Sequence, residues 1–287
     1  MVLYLIGLGL GDAKDITVRG LEIVKRAHKV YLESYTSILQ DTRKEMEELY
    51  GREVIEADRL FIEQKCEAML DEALTHEIAV LVVGDVFCAT THCDLNIRAI
   101  QKNVQVVSIH NAGIMTAVGC CGLSLYNFGL TVSIPFFTEK WRPYSFYERM
   151  KTNMAAGMHT LCLLDIKVKE QSMENLIKGR LIFEPPRFMT VNQAIQQLLS
   201  LEEEKKMDVF HPSTFCIGLA RVGCPTQRIV AGKASDLLRV DFGGPLHSLI
   251  VPCLKTVTEE ENIMIQHFAV KESDLVLEKE EDKKEDD

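Results

Sequence analysis

The stretch "IAVLVVG" (78–84) is apolar at every position up to its closing glycine, and it restricts the fold more than any other part of these 287 residues. A strand with one face in water alternates apolar and polar residues, whereas a strand apolar on both faces needs cover on each side of its sheet. Its neighbours supply that cover. "LYLIGL" (3–8), "KVYLES" (29–34), "EVIEA" (53–57) and "VQVVSIH" (104–110) read as further strands. Between them, helical spacing appears in "TVRGLEIVKRAH" (17–28), in "DTRKEMEELYG" (41–51) closed by Gly51, near 60–74 and over 90–102. Strands alternating with helices predict an α/β unit with a mainly parallel sheet.

The pattern changes near residue 111. "NAGIMTAVGCCG" (111–122) predicts a small-residue helix, and "TVSIPF" (131–136) and "HTLCLLDI" (159–166) predict strands. An amphipathic helix follows at about 190–205. "TFCIGLAR" (214–221), "RIVAGKA" (228–234) and "PLHSLIV" (245–251) then crowd together. Clustered strands with short connections favour a mixed or antiparallel sheet. Two α/β domains are expected, 1–112 and 113–257, then an acidic, disordered tail over 258–287.

The formal charge of −10 is unevenly spread. Residues 259–287 hold 12 acids against 4 bases, which leaves the body at −2. A near-neutral body with an acidic end argues against a nucleic-acid-binding surface. No apolar run approaches the roughly 18 residues of a membrane span, and Met1 runs into a strand pattern without a basic leader. The nine cysteines are odd in number, scattered and free of any CxxC pair. That is the habit of thiols in a reducing compartment, so a cytoplasmic location is expected.

Three strand ends carry the chemistry. "LYLIGLGLGD" (3–12) ends in Gly7, Gly9 and Gly11. A P-loop would close with a Lys-Ser/Thr pair, and a dinucleotide fold would space its glycines G-x-G-x-x-G. Here the spacing is G-x-G-x-G, and Asp12 and Asp15 stand where phosphate would lie. The loop reads as a close backbone approach or as a tight turn with Asp15 or Thr17 capping the next helix. Gly84-Asp85 ends the most apolar strand, with Asp85 as a ligand-holding group or as a cap for the helix near Thr90. "SIHNAGI" (108–114) stops at a His-Asn pair. In open parallel sheets ligands bind outside such carboxyl ends.

Taken with "VVGDVFCATTH", "HNAGIMTAVGCCGLSLYNFG", "MHTLCLLDIKVKEQSMENLIKGR", "EPPRFMTVNQA", "GLARVG" and "PLHSLIV", the opening loop resembles the diphthine synthase family over residues 3 to about 251. The eukaryotic branch is the nearer match, especially through 158–187. The resemblance implies the two-domain tetrapyrrole-methylase fold, with S-adenosyl-L-methionine bound between the domains of a homodimer. It also implies the substrate, translation elongation factor 2 carrying a 3-amino-3-carboxypropyl-histidine. Three methylations fall on the amine and a fourth on the carboxylate, giving diphthine methyl ester.

Matching motifs place the implied cofactor contacts at Leu10, Asp85, Cys88, Gly113, Ile114, Leu164, Val222 and His247. Leu164 and Val222 are also ordinary core residues, and His247 is also read as a core histidine. The chain departs from the family at Val86, where proline is usual, at Cys88, where glycine is usual, and at Gly113, where serine is common.

No catalytic residue is assigned. Asp165, His110 and His159 are the titratable groups near strand ends. No metal is expected, Cys88, His92 and Cys93 lacking further ligands at suitable spacing. Three rivals remain open: a small-molecule methyltransferase acting on a tetrapyrrole precursor, a dinucleotide-dependent dehydrogenase, and a binding module docking through its acidic tail.

Overall fold

The computed structural model describes residues 1–33, 35, 39, 41–170, 175, 177–180 and 182–276. Its first sheet holds β1 (Val2–Gly7), β2 (Lys29–Glu33), β3 (Ile55–Ala57), β4 (Glu77–Val82) and β5 (Gln105–Ile109), in the order β3-β2-β4-β1-β5. Every pairing is parallel. Helices α1 (Val18–Arg26), α2 (Arg43–Tyr50), α3 (Glu67–Ala73) and α4 (His92–Gln101) connect the strands. One core, around Ile6, Val24, Val30, Tyr50 and Leu81, lies against one face. The other, around Leu5, Leu70, Val80, Val82 and Leu95, lies against the opposite face. This two-sided cover explains why β4 has no polar alternation.

The short helix α5 (Ile114–Ala117) and a 3₁₀ turn at Val118–Cys121 replace the longer helix expected over 111–122. Gly122, at φ 93°, stops the turn. The second sheet then runs β11-β10-β12-β7-β6, from β6 (Val132–Ile134), β7 (Thr160–Leu164), β10 (Phe215–Ala220), β11 (Arg228–Lys233) and β12 (His247–Val251). It is mixed, with β6–β7 parallel and the other pairs antiparallel. A two-stranded ribbon joins β8 (Ile166–Lys167) to β9 (Arg187–Phe188). Helices α6 (Ser145–Ala155), α7 (Val191–Lys205) and the short α8 (Ala234–Leu237) complete this half. The patterning did not announce α6, whose buried Phe146, Tyr147 and Met150 cover the β6 end of the sheet.

The disordered tail expected from 258 is corrected by the structure. Thr258 caps α9 (Glu259–His267) through a capping box with Glu261, and Ile265 is buried in the core beneath β10 and β12. Ala231 and Phe268–Val270 exchange backbone hydrogen bonds of 2.7 and 2.8 Å, so the chain covers the outer edge of β11. Covering an edge strand removes an exposed row of backbone donors and acceptors. The charge count misled because the acids of α9 occupy its first turn, where a helix favours them. The acidic run from 277 lies outside the described residues.

Candidate active site

Parallel register brings the carboxyl ends of β4, β1 and β5 side by side, with Gly7 opposite Val82 and Ile6 opposite Ile109. Beyond them the chain is held by its own backbone. Gly9 and Gly84, both at positive φ, exchange hydrogen bonds of 3.1 and 2.7 Å. A Cβ on Gly7 would stand 2.7 Å from the Gly84 carbonyl oxygen, and one on Gly11 would stand 2.8 Å from that of Gly223. The glycines of the opening loop therefore allow close contact between loops.

The carboxylates near that loop are engaged as well. Asp15 accepts from the Gly11 amide at 2.8 Å and Asp12 from Lys14 at 2.8 Å, while Thr17 caps α1. The Asn111 side-chain amide donates to the carbonyls of Gly7 and Asp15, each at 3.0 Å, tying β5 to the β1 loop.

Asp85 is held by donors of its own chain. It accepts from the amides of Phe87 and Asn111 and from His110 Nδ1, at 3.0, 3.0 and 2.9 Å. It caps no helix. Burial alone would push its carboxyl up, but these three donors outweigh burial and hold it below the usual range.

Between the two sheets lies a cleft of about 770 Å³, a size typical of small-molecule sites. Leu10, Cys88, Gly113, Ile114, Leu164, Val222 and His247 line it. Asp85 adjoins the lining residue Gly84 and accepts from the Asn111 amide. The second sheet presents Ser133–Pro135, Leu163–Ile166, Leu219, Arg221 and Pro245–Ser248.

His247 sits in the wall with its Nδ1 accepting from the Val191 amide at 3.3 Å. Its Nε2 faces the carbonyls of Gly243 and Gly244 at 3.2 and 3.0 Å, which sets Nε2 as the protonated nitrogen. Burial pushes its pKa down, so the ring is a neutral connector.

Among the titratable candidates, Asp165 reaches the cleft and is the one carboxylate on its wall among the described residues. It accepts from the Phe136 amide at 2.9 Å. His110 is bound to Asp85, and His159 is buried away from the wall with Nδ1 accepting from Cys253.

The sequence reading missed Arg221, Tyr35 and Arg59. Arg221, at φ 50°, donates to the carbonyls of Thr226, Phe242 and Gly244 and clamps two loops together. A cation between β10 and the glycine of "ARVG" was the available signal. Tyr35 and Arg59 carried none, because short motifs do not reveal which loops meet. Of the groups able to gather around a metal ion, the described residues hold His28, Glu72 and His76. Cys88, His92 and Cys93 are not gathered, and Lys29 already pairs with Glu72 at 2.8 Å.

Residues 2–238 match the Tetrapyrrole (Corrin/Porphyrin) Methylases. The chain belongs to this methyltransferase family. It is 57% identical over 254 residues to the diphthine methyl ester synthase of Homo sapiens, covering 87% of this chain and 89% of that protein. With the diphthine methyl ester synthase of Dictyostelium discoideum it is 56% identical over 253 residues, covering 88% and 93%. A crystal structure from Entamoeba histolytica superposes with a TM-score of 0.84 at 48% identity, covering 94% of this chain and 99% of the other. A crystal structure of diphthine synthase superposes at 0.80 with 32% identity, covering 94% and 96%. The methylase architecture expected from the motifs, one parallel and one mixed sheet, is thus the architecture observed. The chain is an enzyme of the diphthine methyl ester synthase branch.

Proposed function

We propose that this methylase transfers methyl groups from S-adenosylmethionine to the 3-amino-3-carboxypropyl-histidine of elongation factor 2. Four transfers give diphthine methyl ester and leave S-adenosylhomocysteine. The observation that carries the reading is the cleft in which six separated sequence motifs converge, in a chain more than half identical to diphthine methyl ester synthases.

The residues present suit that cofactor. Leu10, Ile114, Leu164, Val222 and Leu219 offer an apolar surface for a base and a methionine chain. At Gly84 a Cβ would meet nothing nearer than 3.8 Å, so the main chain is open to the cleft there. The wall's one carboxylate, Asp165, suits a cationic ligand. When bound, S-adenosylmethionine supplies a methyl group activated on a sulfonium. The protein's part is to orient the acceptor and exclude water. In this reading 1–112 and 113–257 are two domains flanking the ligand, and Asp85 acts through Asn111 rather than by touch.

Two further parts of the reading are a homodimer and a cytoplasmic location. Leu125, Tyr126, Leu130, Met158 and Ile263 are exposed large apolar side chains, with Tyr126 98% exposed. Gly129 abuts Met158 and Gly122 abuts Met264, which brings three segments into one surface. Apolar surfaces of this kind mark protein contacts. All nine cysteines are free thiols, as a reducing compartment requires. Among the described residues no helix is long and apolar enough to cross a membrane.

Mass spectrometry of the target peptide tests the reading, after incubating precursor elongation factor 2 with the protein and S-adenosylmethionine. A ladder ending at four methyl increments supports it. A ladder ending at three removes the ester step. No increment at all, with the cofactor bound, overturns the substrate assignment.

A further inference from the structure

We infer that Arg59 and Tyr35 form the acceptor subsite of the cleft, with the Arg59 guanidinium binding the carboxylate of the side chain to be methylated. The inference rests on the reading above, that the acceptor is a 3-amino-3-carboxypropyl group.

The cleft wall divides into two connected groups of residues. Leu10, Gly84 and Gly113 adjoin one another around the loops assigned to the cofactor. A second group has no part in that assignment. Tyr35 follows β2, Arg59 precedes α3, and Ala89–Thr91 precede α4. Arg59 lies over the Tyr35 ring at 5.3 Å from its centroid, and the Tyr35 hydroxyl stands 3.5 Å from Thr91 Oγ1. This second group needs a ligand of its own chemistry.

That chemistry is anionic and planar. The wall carries two arginines, Arg59 and Arg221. Arg221 spends its donors on backbone carbonyls and is a structural clamp. The Arg59 side chain is 63% exposed, and among the described residues its one ionic partner is Glu63, with Nε 3.5 Å from Oε1. Among the described residues its two terminal nitrogens have no hydrogen-bond partner. An exposed i,i+4 pair of this kind contributes little. Stacking on an aromatic ring fixes the plane of a guanidinium and presents its forked donors in the geometry that binds a carboxylate twice. Beside it, burial pushes the Tyr35 phenol up to about 12, so the hydroxyl remains a neutral donor. A carboxylate held here leaves the amine of the same carbon as the group presented to the methyl donor. Ester formation removes the negative charge, and with it the contact that retains the substrate.

The test measures binding without any methyl donor. Precursor elongation factor 2, bearing the 3-amino-3-carboxypropyl group, is compared with unmodified elongation factor 2 against the full chain by interferometry. A charge-assisted pair predicts that the wild-type chain prefers the precursor by about tenfold or more. Arg59→Gln is expected to erase that preference while leaving affinity for unmodified factor and for S-adenosylhomocysteine unchanged. Arg59→Lys is expected to keep part of it, and Glu63→Gln all of it. The inference is overturned if Arg59→Gln keeps the preference, if it weakens both forms equally, or if the wild-type chain methylates the precursor without preferring it. A wild-type chain that adds no methyl group to the precursor sinks the underlying reading instead, which separates the two failures.

Discussion

The side chain of Cys88 occupies the space that a side chain at position 113 would need. A Cβ on Gly113 would stand 2.6 Å from the Cys88 Sγ and 2.7 Å from its Cβ. Cys88 and Gly113, the two positions where the sequence was read as departing from the family resemblance, thus meet at one contact. Gly113→Ser alone is expected to overpack the cleft wall at a cost of about 1–3 kcal/mol. Cys88→Gly added to it is expected to restore most of the loss. A double-mutant cycle read by urea denaturation and by S-adenosylhomocysteine affinity checks this, and additive effects would show the positions to be uncoupled.

The junction between the two halves makes a second prediction. Gly223 lies at φ 87°, and a Cβ there would stand 3.0 Å from the Leu10 Cβ. Gly223→Ala should cost about 1–3 kcal/mol from backbone strain alone. The same change should weaken cofactor binding, because it pushes Leu10 out of the wall. Calorimetric melting and equilibrium binding measured together would separate the two effects.

His92 gives the chain a predictable response to acid. The ring is wholly buried, neither nitrogen makes a well-formed hydrogen bond among the described residues, and Glu33 Oε2 lies 4.0 Å away. Burial pushes its pKa down to about 4, with the Val86 backbone opposing only weakly. Above about pH 6.5 an unfolded histidine is already neutral, and the stability is fully present. As pH falls from there towards 4, the unfolded chain takes up a proton that folded His92 refuses, so stability is lost. The span corresponds to about 3 kcal/mol. Burial also lowers His159 and His247, which act in the same direction. Urea unfolding at pH 7.5, 6 and 5 should show the decline, and His92→Leu should flatten it. An unchanged slope in that variant would locate the effect elsewhere.

The C-terminal helix is structural. Ile265 is 3% exposed in the core formed with Leu161, Ile217, Leu219 and Ile250. Ile265→Ala should cost about 2–5 kcal/mol, and truncation after Thr258 should lower the melting temperature further. A chain ending at Thr258 that melts like the full protein would contradict this packing.

Legibility in the sequence followed the range of the forces involved. The parallel sheet was readable because burial of β4 on both faces leaves a local signature, and α7 because its buried Val191, Ala194, Ile195, Leu198 and Leu201 recur at helical spacing. The end of α9 was misread because its acids also fit a solvated tail, and only the burial of Ile265 decides between them. Seven cleft residues were reached through the motifs that carry the family resemblance, not through spacing alone. At Asp85 sequence shows a carboxylate at a strand end, but not the three donors of the chain that it accepts from. Tyr35 and Arg59 adjoin through non-local packing, which leaves no spacing to read.

The mutual pairing of Gly9 and Gly84 has a consequence for how this cleft evolves. A floor made of main chain holds its shape through torsion angles that only glycine adopts cheaply. Selection can keep such a floor by guarding a few residues that have no side chain at all, while their neighbours drift in size and polarity. In the reading proposed above, holding the methyl donor and selecting the acceptor therefore fall to separate parts of the molecule. A lineage can change what it modifies at the side-chain end without renegotiating what it carries at the backbone end.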